Sequence, residues 1–239
     1  MADLNQLSGS KLDISVVVMA YNEVSNLTPA VQELVGELKQ LGRPWELVIV
    51  DDGSTDGTSI LADRLASETL GVHVIHHGTN RGLGGVYATG FAAVCGRLVT
   101  FFPADGEFPA AIIGQFAPLL DDADMVLGYL LDPEISFLSK FLARTERALY
   151  RVLFGPLPKF QGIVMFRRSL LDTIKLGSTG RAGTVMLELI IRASRANFRL
   201  ISVPTALRPR MSGESKVNNL PTIWHNFIQM LALRWRLWF

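Results

Sequence analysis

The side chains able to do chemistry concentrate in four short runs: Ala20-Tyr21-Asn22-Glu23, Val50-Asp51-Asp52-Gly53-Ser54-Thr55-Asp56-Gly57-Thr58, Ala104-Asp105-Gly106-Glu107, and Arg210-Met211-Ser212-Gly213-Glu214-Ser215-Lys216. The first three each follow an apolar stretch. A carboxylate at the end of a buried strand can accept hydrogen bonds from a nucleobase or ribose. One or two of them suffice for a magnesium-like cation, which completes its shell with water and phosphate oxygens. The Asp51 to Thr58 run reads equally as an acidic turn with a helix cap at Thr58; a plain turn after a strand is the alternative for Asp105-Gly106.

The elements that must carry these runs alternate along the chain. Ile14 to Met19 is a short β-branched run of the kind buried on both faces of a parallel sheet, ending near Ala20. Thr28 as N-cap and Pro29 at the first helical position open a helix in which Val31, Leu34, Val35, Leu38 and Leu41 recur at helical spacing, with a stop at Gly42. The pattern repeats as strand Leu47 to Val50, helix Ser59 to Ser67, strand Val72 to Ile75, helix Val86 to Val94 and strand Leu98 to Phe102. The spacing thus predicts an α/β fold with a mostly parallel open sheet flanked by helices, whose ligands bind at the carboxyl ends of the strands. Beyond Asp132 the alternation weakens: a long helix over 134–154, a strand near Ile163 to Phe166, a helix at Thr184 to Ser194 and a strand at Leu200 to Val203. We divide the chain into a tail (1–12), a main domain (13–217, with a first half 13–131 and an acceptor half 132–217) and an amphipathic C-terminal helix (218–239).

Taken in order, and with Asn80-Arg81-Gly82-Leu83-Gly84-Gly85, Gly90-Phe91 and Pro109 between them, the runs resemble the family 2 inverting glycosyltransferases of the GT-A, Rossmann-like fold. The likeness is greatest to the dolichyl-phosphate mannose and bacterial prenyl-phosphate sugar transferases, and it spans Ile14 to Lys216. It implies a nucleotide-sugar site at Ala20, Tyr21, Asn22, Glu23, Asp51, Asp52, Gly82, Leu83, Ala104 and Asp105, with Tyr21, Glu23 and Asp52 at the nucleoside. Arg210, Ser215 and Lys216 would hold the phosphates. The resemblance further implies Asp105, Glu107 and Arg210 as catalytic residues, Asp105 and Glu107 as ligands of Mg²⁺ or Mn²⁺, and Arg144, Gln161 and Glu188 on the acceptor side. A solvated helix face is the alternative for Glu188.

Two departures from the family pattern bear on the metal and on the acceptor. Pro103-Ala104-Asp105 lacks the first acid of an Asp-x-Asp pair, and Leu157-Pro158-Lys159-Phe160-Gln161-Gly162 lacks the acid that commonly precedes the next segment. An alcohol acceptor must lose a proton during attack, whereas a phosphate monoester, with its second pKa near about 6, is already an anionic nucleophile at neutral pH. The second departure therefore favours a polyprenyl phosphate over a saccharide hydroxyl; the first either lowers metal affinity or leaves the metal to the second acid, and the two together leave a weakened nucleotide-sugar-binding homologue as a third reading.

Composition narrows the alternatives. Glycine is missing at the third fingerprint position after Gly82-x-Gly84, where Tyr87 stands, which rejects a dinucleotide-binding dehydrogenase, and there is no Gly-Lys-Ser/Thr phosphate loop or Cys/His cluster. His76-His77 has no acid at ligand spacing and reads as a loop pair. A net charge of +1 marks no nucleic-acid binder. The single cysteine, Cys95, in an apolar run, reads as a buried small hydrophobe, and the polar opening lacks a signal peptide, so a cytoplasmic location is expected. The expected helix from Phe137 sets an apolar stripe beside Lys140, Arg144, Arg147 and Arg151, and the stretch from Ile223 combines Trp224, Trp235 and Trp238 with arginines. The first suits the headgroup region of a membrane or, alternatively, a core-packing helix with a solvated basic face; the second suits a membrane surface or a partner subunit and is too interrupted to span a bilayer.

Overall fold

The computed structural model of the chain describes residues 12–130, 151–178, 184–209 and 229–237. Arg144, Arg210, Ser215 and Lys216, the 1–11 segment and most of the stretches expected to meet a membrane lie outside these residues.

Among the described residues seven strands form one sheet in the order β3-β2-β1-β4-β6-β5-β7. They are β1 Ile14–Ala20, β2 Trp45–Asp51, β3 Val72–His76, β4 Leu98–Pro103, β5 Met125–Leu130, β6 Val164–Arg167 and β7 Leu200–Thr205. The first four pair in parallel, through α1 Leu27–Gln40, α2 Thr58–Glu68 and α3 Gly82–Ala93. β6 runs antiparallel between β4 and β5, and β7 lies parallel to β5 at the far edge. The expected mostly parallel α/β sheet is the one observed.

Alternation along the strands assigns the two layers, since successive side chains point to opposite faces. Val16 and Val18 of β1 with Leu47 and Ile49 of β2 pack against Val31, Leu34 and Leu38 of α1 and Ala62 and Leu65 of α2. Val17, Val48 and Val50 pack on the other face, with Val86 of α3 and with Met186, Leu189, Ile190 and Ala193 of the helix Thr184–Arg195. On that face α3 lies close to β4: a Cβ at Gly90 would stand 2.6 Å from a ring carbon of Phe101.

Several local expectations need correction. α1 begins at Leu27 after Asn26, so Thr28 is inside its first turn and caps nothing, and Pro29 sits where a helical N–H has no partner anyway. α3 starts four residues earlier than its apolar spacing indicated. β5, the short α4 Ile112–Phe116 and the helix Ser169–Thr173 were not read from the sequence. Cys95 is exposed, because its backbone N–H points inward at the buried Glu46 carboxylate (2.6 Å) while its side chain faces out. The C-terminal residues 229–236 are helical, and Met230 and Leu233 pack on Leu187 and Ile191 of this same chain, beside Phe154. That apolar side is therefore partly covered within the molecule, while Leu231 and Trp235 are exposed.

Candidate active site

The register of the parallel strands brings the acid-bearing runs to one edge. Ala20 pairs with Asp51 and Met19 with Pro103, so β2 and β4 end level with β1 on either side of it. Asp52 N donates to Ala20 O (2.9 Å) and Ala104 N to Met19 O (3.0 Å), placing the Asp52 and Asp105 loops about two strand spacings apart, roughly 10 Å.

The loops after β1 and β2 interlock. Asn22 N donates to Ser54 Oγ (2.9 Å), Thr55 N to Asn22 Oδ1 (2.8 Å), Glu23 N to Thr58 Oγ1 (2.9 Å) and Val24 N to Asp56 Oδ2 (3.2 Å). Asn22 adopts the left-handed backbone region (φ 52°), which asparagine tolerates better than most residues. Asp56 accepts from the Thr58 N–H and hydroxyl at the start of α2, so Thr58 is held by a cap rather than being one. Gly53 (φ 72°) lets the second loop touch a third: a Cβ there would lie 2.7 Å from Thr79 C and 2.8 Å from Asn80 N.

Asp51 and Asp52 are buried and satisfied by named donors. Asp51 accepts from Ser54 N (3.1 Å), Ser59 Oγ (2.6 Å) and His76 Nδ1 (2.9 Å). Burial works against its charge, but the hydrogen bonds from Ser54, Ser59 and His76 outweigh burial and hold its carboxyl below the usual range. His76 bridges Asp51 to Asp63 (3.0 Å); burial opposes its protonation, yet the two carboxylates raise its pKa above the ordinary value. Asp52 accepts from His77 Nδ1 (2.7 Å), Arg81 N and Gly82 N (both 2.8 Å), which pins the start of α3. The two histidines thus meet acids that the fold, not sequence spacing, brings to them, and His76 is the last residue of β3 rather than part of a loop pair.

The loop after β4 is held differently. Asp105, nearly buried, accepts from Glu107 N (3.1 Å) across Gly106, which takes φ 73°. Arg208 reaches this loop from beyond β7: its N–H donates to Glu107 O (2.9 Å), its Nε to Gly106 O (2.6 Å), and its guanidinium pairs with Glu33 of α1. Glu33 also accepts from Ala110 N (3.0 Å). Neither residue was singled out from the sequence. Glu33 looks there like one more polar position on an amphipathic helix, and no local spacing signals a partner 175 residues away.

The geometry therefore gathers Ala20, Tyr21, Asn22, Glu23, Asp51, Asp52, Gly82, Leu83, Ala104, Asp105 and Glu107 at the carboxyl edge, where Tyr21 and Leu83 are exposed. Gln161 belongs to the same edge. Its N–H donates to Gly128 O (2.8 Å), and a Cβ on neighbouring Gly162 would be 3.3 Å from the Phe108 ring. Glu188 is fully buried, which overturns the solvated-face alternative. It accepts from Gly177 N, Ser178 N (2.7 Å) and Arg192 Nε (2.6 Å), and although burial opposes its charge these bonds keep its carboxyl below the usual range. Arg144, Arg210, Ser215 and Lys216 lie outside the described residues.

Among the described residues no three His, Cys, Asp or Glu side chains converge to hold a metal unaided. The donors present, two carboxylates a residue apart on a tight turn, fit a hard cation that takes the rest of its shell from water and substrate phosphates.

An open α/β sheet with its polar loops at the carboxyl ends of parallel strands defines a class of enzymes that bind a ligand across that edge. Residues 15–174 match the family Glycosyl transferase family 2, and the chain belongs to it. It is a glycosyltransferase. Among its relatives, an undecaprenyl-phosphate mannosyltransferase of Micrococcus luteus is 27% identical over 216 residues, covering 86% of this chain and 87% of the relative. A polyprenol monophosphomannose synthase of Mycolicibacterium smegmatis is 29% identical, covering 85% and 80%. The fold is shared with glucosyl-3-phosphoglycerate synthase from Mycobacterium tuberculosis, solved with Mn²⁺, uridine diphosphate and glucosyl-3-phosphoglycerate, at a TM-score of 0.68 and 22% identity over 93% of this chain and 80% of that one.

Proposed function

We propose that the chain transfers a sugar from a nucleoside diphosphate donor to a polyprenyl phosphate, with inversion at the anomeric carbon and with Mg²⁺ or Mn²⁺ at Asp105 and Glu107. The observation that carries this reading is the placement of the Asp52 and Asp105 loops on either side of the end of β1, at a separation suited to the nucleoside and diphosphate ends of one donor. The names of the two bacterial relatives support a polyprenyl phosphate acceptor, and the manganese and nucleotide in the solved neighbour support the donor and cation.

In this reading the interlocked loops after β1 and β2 form the nucleoside end, with Tyr21 exposed beside them. The α3 start at Gly82 and Leu83, pinned by Asp52, borders the donor. The acceptor phosphate oxygen forms a bond to the anomeric carbon as the bond to the diphosphate oxygen breaks, and the electron pair leaves on the nucleoside diphosphate. A bound divalent cation supplies charge stabilisation at that leaving oxygen. Arg210, Ser215 and Lys216 are assigned to the phosphates by resemblance. No proton has to be removed from an anionic phosphate, which suits a 157–162 segment without an acid.

That acceptor implies work at a membrane surface, and we assign it to the cytoplasmic face. It is supported by the exposed Val152, Leu231 and Trp235 near the Phe154, Met230 and Leu233 cluster, with Arg151, Arg195 and Arg236 exposed as well. No helix among the described residues is long and apolar enough to cross a bilayer. A partner subunit or second copy is the alternative occupant of that surface.

The test is transfer of label from a panel of uridine and guanosine diphosphate sugars to a short polyprenyl phosphate, with Mn²⁺ or with a chelator. Lipid-linked label that the chelator removes is expected from at least one donor. Label reaching only a saccharide hydroxyl, or none reaching lipid from any donor, would refute the acceptor assignment.

A further inference from the structure

We infer that Arg208 and Glu33 are positioning residues for the cation site, a latch that sets the shape of the Asp105-Gly106-Glu107 loop from outside it. The inference rests on the cation reading given above for Asp105 and Glu107.

Three features point to it. First, within the loop Asp105 accepts from Glu107 N, and Gly106 is in a backbone region open chiefly to glycine. Second, the carbonyls of Gly106 and Glu107 both accept from the single residue Arg208, through Nε (2.6 Å) and N (2.9 Å). Their direction, and so the spacing of the two carboxylate stems, follows Arg208. Third, the guanidinium is itself fixed by Glu33, whose other oxygen takes Ala110 N just beyond the loop (3.0 Å). An arginine beside a cation site would repel its metal; the Glu33 carboxylate offsets that charge and leaves the orienting hydrogen bonds. Partners that orient metal ligands in this way are ordinarily worth about 10- to 100-fold in metal affinity.

Through-space charge and positioning make opposite statements about Arg208→Gln. Removing a nearby positive charge should tighten binding of a divalent cation if the field alone matters. If Arg208 positions the loop, affinity falls despite the favourable change in charge.

The experiment measures Mn²⁺ binding to the full chain by the loss of free Mn²⁺ paramagnetic resonance signal, with uridine or guanosine diphosphate present. It compares wild type, Arg208→Gln, Glu33→Gln and a surface control, Arg64→Gln, which breaks the exposed pair with Glu68 on α2. Arg208→Gln is expected to bind Mn²⁺ about 10-fold more weakly or worse, with the control unchanged. Glu33→Gln keeps an acceptor for Ala110 N and is expected to weaken binding as well. It should do so even near 1 M salt, where the Debye length is only about 3 Å and a purely coulombic effect is screened. Should Arg208→Gln fail to fold, Glu33→Gln at high salt decides the matter. Wild-type affinity or tighter in Arg208→Gln, or a Glu33→Gln effect that vanishes in salt, overturns the latch. Absence of nucleotide-dependent Mn²⁺ binding in the wild type would instead refute the cation reading beneath it.

Discussion

The two edges of the sheet both bury carboxylates, and they use them to opposite ends. At the amino edge, Glu46 accepts from Ser15 Oγ (2.5 Å) and Cys95 N (2.6 Å), while Ser15 Oγ takes Gly96 N (2.7 Å). A Cβ on Gly96 would lie 2.6 Å from that hydroxyl, so the chain closes tightly over the acid. These bonds tie the strand ends together and lead nowhere else. At the carboxyl edge, Asp51 and Asp52 are just as well satisfied, but their donors are the loop after β2, the start of α2, the end of β3 and the start of α3, where Leu83 faces solvent as Tyr21 does on the interlocked loop after β1. A buried, hydrogen-bonded acid therefore does not by itself mark a functional site. What distinguishes the carboxyl edge is that its acids shape a surface, and that a second pair of acids, Asp105 and Glu107, lies on the far side of β1.

That contrast can be broken most sharply at Asp105. Asp105→Ala should lower sugar transfer by about 100- to 1,000-fold, the usual cost of removing a group that stabilises developing charge, with little change in melting temperature. Glu46→Ala should do the reverse. Leaving buried donors without an acceptor costs roughly 1–3 kcal/mol, read as a shifted urea midpoint, while turnover of the folded fraction stays near wild type. If both variants lost activity and stability in parallel, the two edges would not be functionally distinct.

Gly53→Ala tests the interlocked loops. A non-glycine residue held at its positive φ costs roughly 1–3 kcal/mol, and here the new methyl also meets backbone at 2.7 Å. Nucleoside diphosphate binding, followed by thermal shift, should weaken along with stability, because the 79–80 segment that must move away adjoins the start of α3.

The smallest effect expected is one of pH. The folded His76 pKa lies above the ordinary 6.5, so its contribution is full below that value and fades as pH rises through the raised one. Asp51 is the converse: its folded pKa lies below 3.8, so its contribution holds above that value and is lost as pH falls through the depressed one. Both operate together between these ordinary values. The His76 ring is about a third exposed, so its share is no more than about 1 kcal/mol. His76→Gln should flatten the alkaline decline in stability measured by urea titration, and an unchanged decline would remove His76 from the account.

Much of this was legible in the sequence wherever order along the chain decides structure. The β-branched runs of β1, β2 and β4 and the apolar spacing of α1 identified the parallel part of the sheet, and strand ends then located Asp51, Asp52 and Asp105. Legibility failed where a residue's partner is remote. The chain runs antiparallel in β6 and returns in β5 and β7 by long-range pairing, which a local period does not encode. Cys95 sits in apolar company yet faces out, because the buried Glu46 claims its backbone. Glu188 has the spacing of a helix-surface acid yet turns inward to collect the 177–178 backbone. Arg208 carries no local signal beside Arg210, two positions on, since only the fold shows that it meets the acid loop.

The central claim is that Asp105, across β1 from Asp52, holds the cation that binds the donor diphosphate. The most direct measurement is a crystal structure of the full chain with Mn²⁺ and a nucleoside diphosphate, phased at the manganese edge. An anomalous peak in direct contact with an Asp105 oxygen and a diphosphate oxygen, with the nucleoside lying toward Tyr21 and Asp52, is the expected result. A manganese peak away from Asp105, or a nucleotide bound off the carboxyl edge of β1, β2 and β4, would contradict it.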